Sequence, residues 1–158
     1  MGLSDHDRSV LERLEKHGWF VNKIAGDERT PQFAYSFGLY ERWQHPELIL
    51  FGLDLNAMHT IVNDAGEKIR NGVRYIDGDI TSDLFNEYPC AFRRVDPAWY
   101  PTTLSWAAWY YASADFPALQ LVWPDRRGRF PWEAQFDRKM LHMQPDLSVP
   151  PPAARPDH

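Results

Sequence analysis

The chain carries a single cysteine, Cys90, among 158 residues. One thiol excludes an internal disulfide and any metal site assembled from several thiolates. His17, His45, His59 and His142 fall at no recognised ligand spacing, and the zinc helix signature of two histidines four residues apart is missing. No metal is expected. Positive charge is scarce too: 17 Lys and Arg against 22 Asp and Glu give a net charge of −5, the wrong balance for displacing counterions from nucleic acid. No apolar run approaches the ~20 residues that cross a bilayer. The stretch from Met1 to Asp7 lacks the basic and apolar regions of a signal peptide. Neither nucleic acid nor a membrane is an expected partner, and the expected location is the cytoplasm. No glycine-rich phosphate loop follows a strand, and Ser36, between Tyr35 and Phe37, lacks the Gly-x-Ser-x-Gly context of a nucleophile elbow.

Aromatic rings are plentiful. Seven Trp, seven Tyr and nine Phe supply a core for one domain and leave rings over to wall a cavity or an interface. Ser4 caps an expected first helix carrying Val10, Leu11 and Leu14, stopped at Gly18. Trp19 to Val21 begins a strand. From Gln32 to Gly38 the pattern alternates: Phe33, Tyr35 and Phe37 share one face, Ala34, Ser36 and Gly38 the other. The small-residue face suits close approach of a helix or a ligand. Leu48 to Phe51 is continuously apolar, as in a central strand covered on both sides. Asp54 caps the strongest helix, with Met58, Ile61, Val62, Ala65 and Ile69 on one stripe. Cys90 to Val95 and Ala118 to Trp123 read as further strands, with Cys90 a buried small hydrophobe. Between them, Thr102 or Thr103 caps a third helix crowded with Trp106, Trp109, Tyr110 and Tyr111.

This order predicts one α+β domain over residues 1–143: a mostly antiparallel, mixed sheet with one longer crossover and about three helices. Residues 144–158, with five prolines and almost no apolar pattern, are expected to form a disordered tail.

The segment from Gln120 to Glu133 is the most unusual. Trp123-Pro124 and Pro131-Trp132 stiffen the chain on either side of a turn, and Asp125, Arg126, Arg127 and Arg129 lie between them. One reading is a pocket with aromatic walls of Trp19, Tyr35, Trp123 and Trp132, approached by Ser36, Asp125 and Glu133, with Arg126 or Arg129 gripping an anionic group. The other, and the favoured one for the turn itself, is a hairpin tip with solvated charges. His45 reads as a strand-entry residue or a general base, and His59 as a solvated residue on the outer part of its helix.

Several of these segments occur together in a recognisable way. His17-Gly18-Trp19, Phe33 to Leu39, His45-Pro46-Glu47-Leu48, Phe51-Gly52-Leu53 and Gln120 to Glu133 resemble the bacterial domain of unknown function family 4262, over roughly Leu11 to Glu133. That resemblance implies no reaction and no catalytic residues. The element order is also similar to that of flavin-binding split barrels, which implies a barrel-like sheet and, by fold analogy alone, a flavin; no flavin motif is present. The expected function is a small-molecule pocket for an anionic ligand, on an oxidoreductase-like or degenerate enzyme scaffold. The alternative is a protein-interaction or immunity-type module anchored by exposed aromatics of the third helix.

Overall fold

In the computed structural model, which describes residues 4–152, the capping chemistry at Ser4 sets the first element. The Ser4 hydroxyl accepts from the Asp7 N–H at 3.1 Å and the Asp7 carboxylate accepts from the Ser4 N–H, starting α1 (Asp5–His17). Gly18, at φ +96°, ends it and turns the chain into β1 (Phe20–Ile24). There follow β2 (Phe33–Phe37), a short α2 (Leu39–Trp43), β3 (Glu47–Phe51) and α3 (Leu55–Arg70). A hairpin of β4 (Ile80–Phe85) and β5 (Tyr88–Arg94) comes next, then a 3-10 turn (Pro97–Trp99), α4 (Tyr100–Thr103), α5 (Ser105–Tyr111) and β6 (Ala118–Val122).

The six strands form one sheet in the order β1-β2-β3-β6-β5-β4. Every ladder is antiparallel except β3 with β6, which run parallel with Glu47 opposite Ala118 and Leu50 opposite Leu121. The alternation of β2 sorts the core into two layers. Phe33, Tyr35 and Phe37 pack with Ile49, Phe51, Tyr100 and Leu104 on one face. Ala34 lies on the other with Leu48, Leu50, Leu121 and the α3 stripe of Met58, Val62, Ala65 and Ile69. Small residues bring α3 close, as the β2 pattern predicts. A Cβ on Gly66 of α3 would lie 2.7 Å from the Trp19 ring, so only glycine fits under that indole.

Three expectations need correction. The sheet is open, with β1 and β4 as its edges; it does not close into a barrel, so the split-barrel likeness fails at the fold. The third helix is interrupted at Leu104 between α4 and α5, and neither Thr102 nor Thr103 caps it. Pro97 and Pro101 instead occupy first-turn positions, where a missing N–H costs nothing. Finally, residues 144–149 are stitched to the sheet. The Gln144 amide pairs with both the N–H and the carbonyl of Trp123, each at 2.9 Å. The Gln120 amide donates to the Pro145 carbonyl and accepts from the Leu147 N–H. Leu147 is fully buried, and the Leu147 and Val149 carbonyls accept from Asp96 and Trp99. The segment docks through the carbonyls of Pro145, Leu147 and Val149, the Leu147 N–H and the Gln144 amide; Pro145 itself has no N–H to satisfy. The remainder of the expected tail, 153–158, lies outside the described residues.

Candidate functional site

The parallel pair fixes where a cleft opens. β3 and β6 end side by side; beyond β3 the chain passes through Gly52 and Leu53 into α3, and beyond β6 through Trp123 and Pro124 into a turn. Sequence order in the sheet breaks here, and clefts at the carboxyl ends of parallel strands arise where connections diverge in this way. The result is an open cleft of about 1030 Å³ between the first half of α3, the β4–β5 turn and residues Trp123 to Arg126. Its floor is apolar: Leu53, Ala57, Ile61, Phe85, Trp123 and Met140. Asn56, Thr60, Asp64, Glu87 and Arg126 line its polar rim.

Trp123 is held on every side. Its indole N–H donates to the Phe51 carbonyl at 2.7 Å, and its backbone is clamped by Gln144. Gly52, at φ +85°, lies so close that a Cβ there would meet the Met143 carbonyl oxygen at 2.5 Å. The ring is 6% exposed, a fixed wall.

The turn after it is organised by Asp125. This carboxylate accepts from the N–H groups of Arg127 (2.9 Å), Arg129 (3.0 Å) and Asp137 (3.1 Å) and from Arg129 Nε at 3.2 Å. Burial by itself raises its pKa, but those donors and the guanidinium outweigh it and hold the carboxyl below its ordinary range. All its acceptor capacity is turned inward. Arg126, in contrast, is exposed and enters no ion pair among the described residues.

The nine residues expected at a pocket therefore divide. Trp123, Asp125 and Arg126 line the cleft. Arg129 is engaged by Asp125 and Gln135, and Glu133 accepts from the Phe130 N–H. Trp132 stacks on Phe130 with Arg93 over its ring, lining a separate recess of about 250 Å³. Trp19 lies beside α3 at another pocket. The Tyr35 hydroxyl accepts from the Trp106 N–H and from Asn22. Of the ring-bearing α5, Trp106, Tyr110 and Tyr111 pack against the core and Trp109 is exposed.

Ser36 belongs to a buried polar knot that pattern reading overlooked. The Glu47 carboxylate, fully buried, accepts from Ser36 Oγ (2.8 Å), Gly38 N–H (3.0 Å), Tyr40 N–H (3.2 Å) and the Tyr111 hydroxyl. Desolvation raises its pKa to about 7, against the pull of these donors. Beside it in sequence, buried His45 accepts the Tyr75 N–H on Nε2. Its proton then sits on Nδ1, donated to the Pro46 carbonyl at 2.8 Å. That arrangement is the neutral ring, and burial lowers its pKa in the same sense. His45 enters the strand and fastens a loop; the general-base reading finds no free ring nitrogen. The one signal in the sequence was a carboxylate placed directly at the head of a continuously apolar strand. Burial likewise raises the pKa of the Cys90 thiol, which makes it a poor nucleophile.

Among the described residues no three His, Cys, Asp or Glu side chains come together as a metal set, and no helix is long and apolar enough to cross a membrane. The model of the family described as Domain of unknown function (DUF4262) matches residues 13–137. No curated protein and no solved structure matches the chain.

Proposed function

The chain belongs to the DUF4262 family, and we propose that it is a small-molecule-binding domain whose cleft takes a flat apolar body carrying one anionic group. The cleft itself carries this reading: about 1030 Å³ at the carboxyl ends of β3 and β6, floored by apolar side chains, with Arg126 on its rim. Its size and its apolar floor with few polar groups are those of small-molecule sites. Arg126 is the cation available to the ligand, because Arg129 is committed to Asp125. Asp64 and Glu87 on the rim disfavour a ligand anionic at both ends. The fixed wall at Trp123 favours a preformed site, which lowers the ordering cost of binding.

The test is a thermal-shift and NMR screen of aromatic carboxylates and sulfonates alongside their neutral amides. Anionic members are expected to bind saturably. Arg126→Ala is expected to weaken them about tenfold or more and leave neutral amides unchanged. Ala57→Trp, at an exposed helix position on the cleft floor, is expected to abolish both. Binding indifferent to Ala57→Trp would overturn the assignment.

A further inference from the structure

A second pocket, on the opposite flank of α3 from the cleft, is carried by different residues. It measures about 460 Å³ and lies between α1, the start of β1 and the outer side of α3. Arg13 and His17 come from α1, and His59, Asn63 and Glu67 from α3, where spacings of four residues stack them along one edge.

The hydrogen bonds here determine the state of one histidine. The Trp19 indole N–H can only donate, so the Asn63 atom it meets at 2.8 Å is the amide oxygen. The Asn63 NH2 group then faces His59 Nδ1 at 3.1 Å and must donate to it. His59 is thereby fixed as the neutral tautomer with its proton on Nε2, and Nε2–H has no partner among the described residues. Burial and the nearby Lys23 both lower its pKa, in agreement with that geometry. Arg13 and His17 likewise make no side-chain hydrogen bond or ion pair among the described residues. Glu67, the acidic group on this wall, is matched by Arg70 at 3.4 Å. Arg70 also lies over Trp19 and donates to the His17 carbonyl. The pocket thus gathers unused donors around one uncompensated guanidinium. His17, His59 and Glu67 do not form a metal set.

We propose that this pocket binds a small oxyanion, the carboxylate or phosphate group of a ligand, between the Arg13 guanidinium, the His17 ring and the His59 Nε2–H. Asn63 acts as a positioning residue: it holds the donor nitrogen of His59 towards the pocket and spends the other. A cation would face Arg13 here, and a neutral ligand would leave its charge unmatched.

The experiment is a titration of the full chain with inorganic phosphate, and separately with acetate, followed through the ring nitrogens of the histidines by long-range proton–nitrogen NMR. Before addition, His59 is expected to show an unprotonated Nδ1 and a protonated Nε2. On addition, the His59 and His17 signals are expected to move together and saturate, and whichever anion binds more tightly identifies the preferred group. Arg13→Ala, an exposed change that spares the core, is expected to weaken binding about tenfold or more; His59→Phe should weaken it as well. Arg126→Ala should leave it unchanged, which separates this site from the cleft. The proposal is overturned if neither anion gives a saturable shift, if Arg13→Ala binds as the wild type does, or if Arg126→Ala removes the effect.

Discussion

Glu47 and Asp125 each accept four hydrogen bonds in places almost closed to solvent, yet their acidities move in opposite directions. Glu47 is fully buried, and its donors are all neutral: two backbone N–H groups, a serine and a tyrosine. Asp125 is 4% exposed and has a guanidinium among its donors. The same number of hydrogen bonds therefore does not give the same stabilisation of a negative charge. Desolvation wins at Glu47, while at Asp125 three backbone N–H donors win, with a smaller pull from the Arg129 guanidinium. Both carboxylates serve architecture. Glu47 ties β2, the Gly38 turn, β3 and α5 together, while Asp125 folds the turn that walls the cleft.

Removing the Glu47 side chain is expected to give the largest effect. Glu47→Ala strands several buried donors, each costing about 1–3 kcal/mol when unpaired, and a loss of about 3–5 kcal/mol is expected in urea unfolding. Glu47→Gln, which resembles the protonated acid in shape, should lose far less. If the alanine variant unfolds like the wild type, the knot contributes no net stability.

The pH dependence of stability separates the two carboxylates by sign. The folded-state pKa of Glu47, about 7, lies above the ordinary value, so the folded protein binds this proton more tightly than the unfolded chain. Its contribution is greatest below about pH 4.3, declines as pH rises towards 7, and is level above that. The decline is on the order of 3 kcal/mol, and Glu47→Gln should abolish it. Asp125 behaves oppositely. Its pKa is lowered, so its contribution is complete above about pH 3.9 and lost as pH falls through the folded value. Asp125→Asn should be less stable than the wild type at neutral pH and should lack that acid limb. A wild-type stability that rises between pH 5 and 7 would contradict the assignment at Glu47.

Much of the sheet was legible because its signals are local. The alternation of Phe33 to Phe37, the apolar run into Phe51 and the stripe of α3 each declare a period within a few residues. β4 gives no such signal: Ile80, Thr81, Ser82 and Asp83 lie on an edge strand, mostly exposed and without clean alternation. The docked segment around Leu147 carries no local signal of docking, because its partners, Gln120 and Trp123, lie more than twenty residues away. The same limit governs the site. Trp123, Asp125 and Arg126 are near neighbours in one stiff turn, so a local reading places all three beside one cleft. The Glu47 knot needs Tyr111 from α5, and the His59 relay needs Trp19, 44 residues from Asn63. Composition does not announce such pairings.

The smallest expected effect is also the finest probe of the Asp125 turn, because two arginines of one turn should respond differently. Sequence reading treats Arg126 and Arg129 alike, as charges at a solvated tip. In the fold, Arg129 gives both its backbone N–H and its Nε to Asp125, with its side chain 26% exposed against 3% for the partner, and its Nη1 reaches Gln135. Arg129→Ala leaves the Asp125 carboxylate with backbone donors alone. It should lower the melting temperature by a few degrees and raise the pKa of Asp125, read from the carboxyl carbon by NMR. Arg126 touches neither that carboxylate nor any other acid among the described residues. Exposed charges of this kind contribute ~0–1 kcal/mol at most, so Arg126→Ala should melt within experimental error of the wild type and leave the acid limb in place. Equal losses from both variants would mean that Arg126 also supports the turn, and a change at Arg126 could then no longer be read as ligand binding alone.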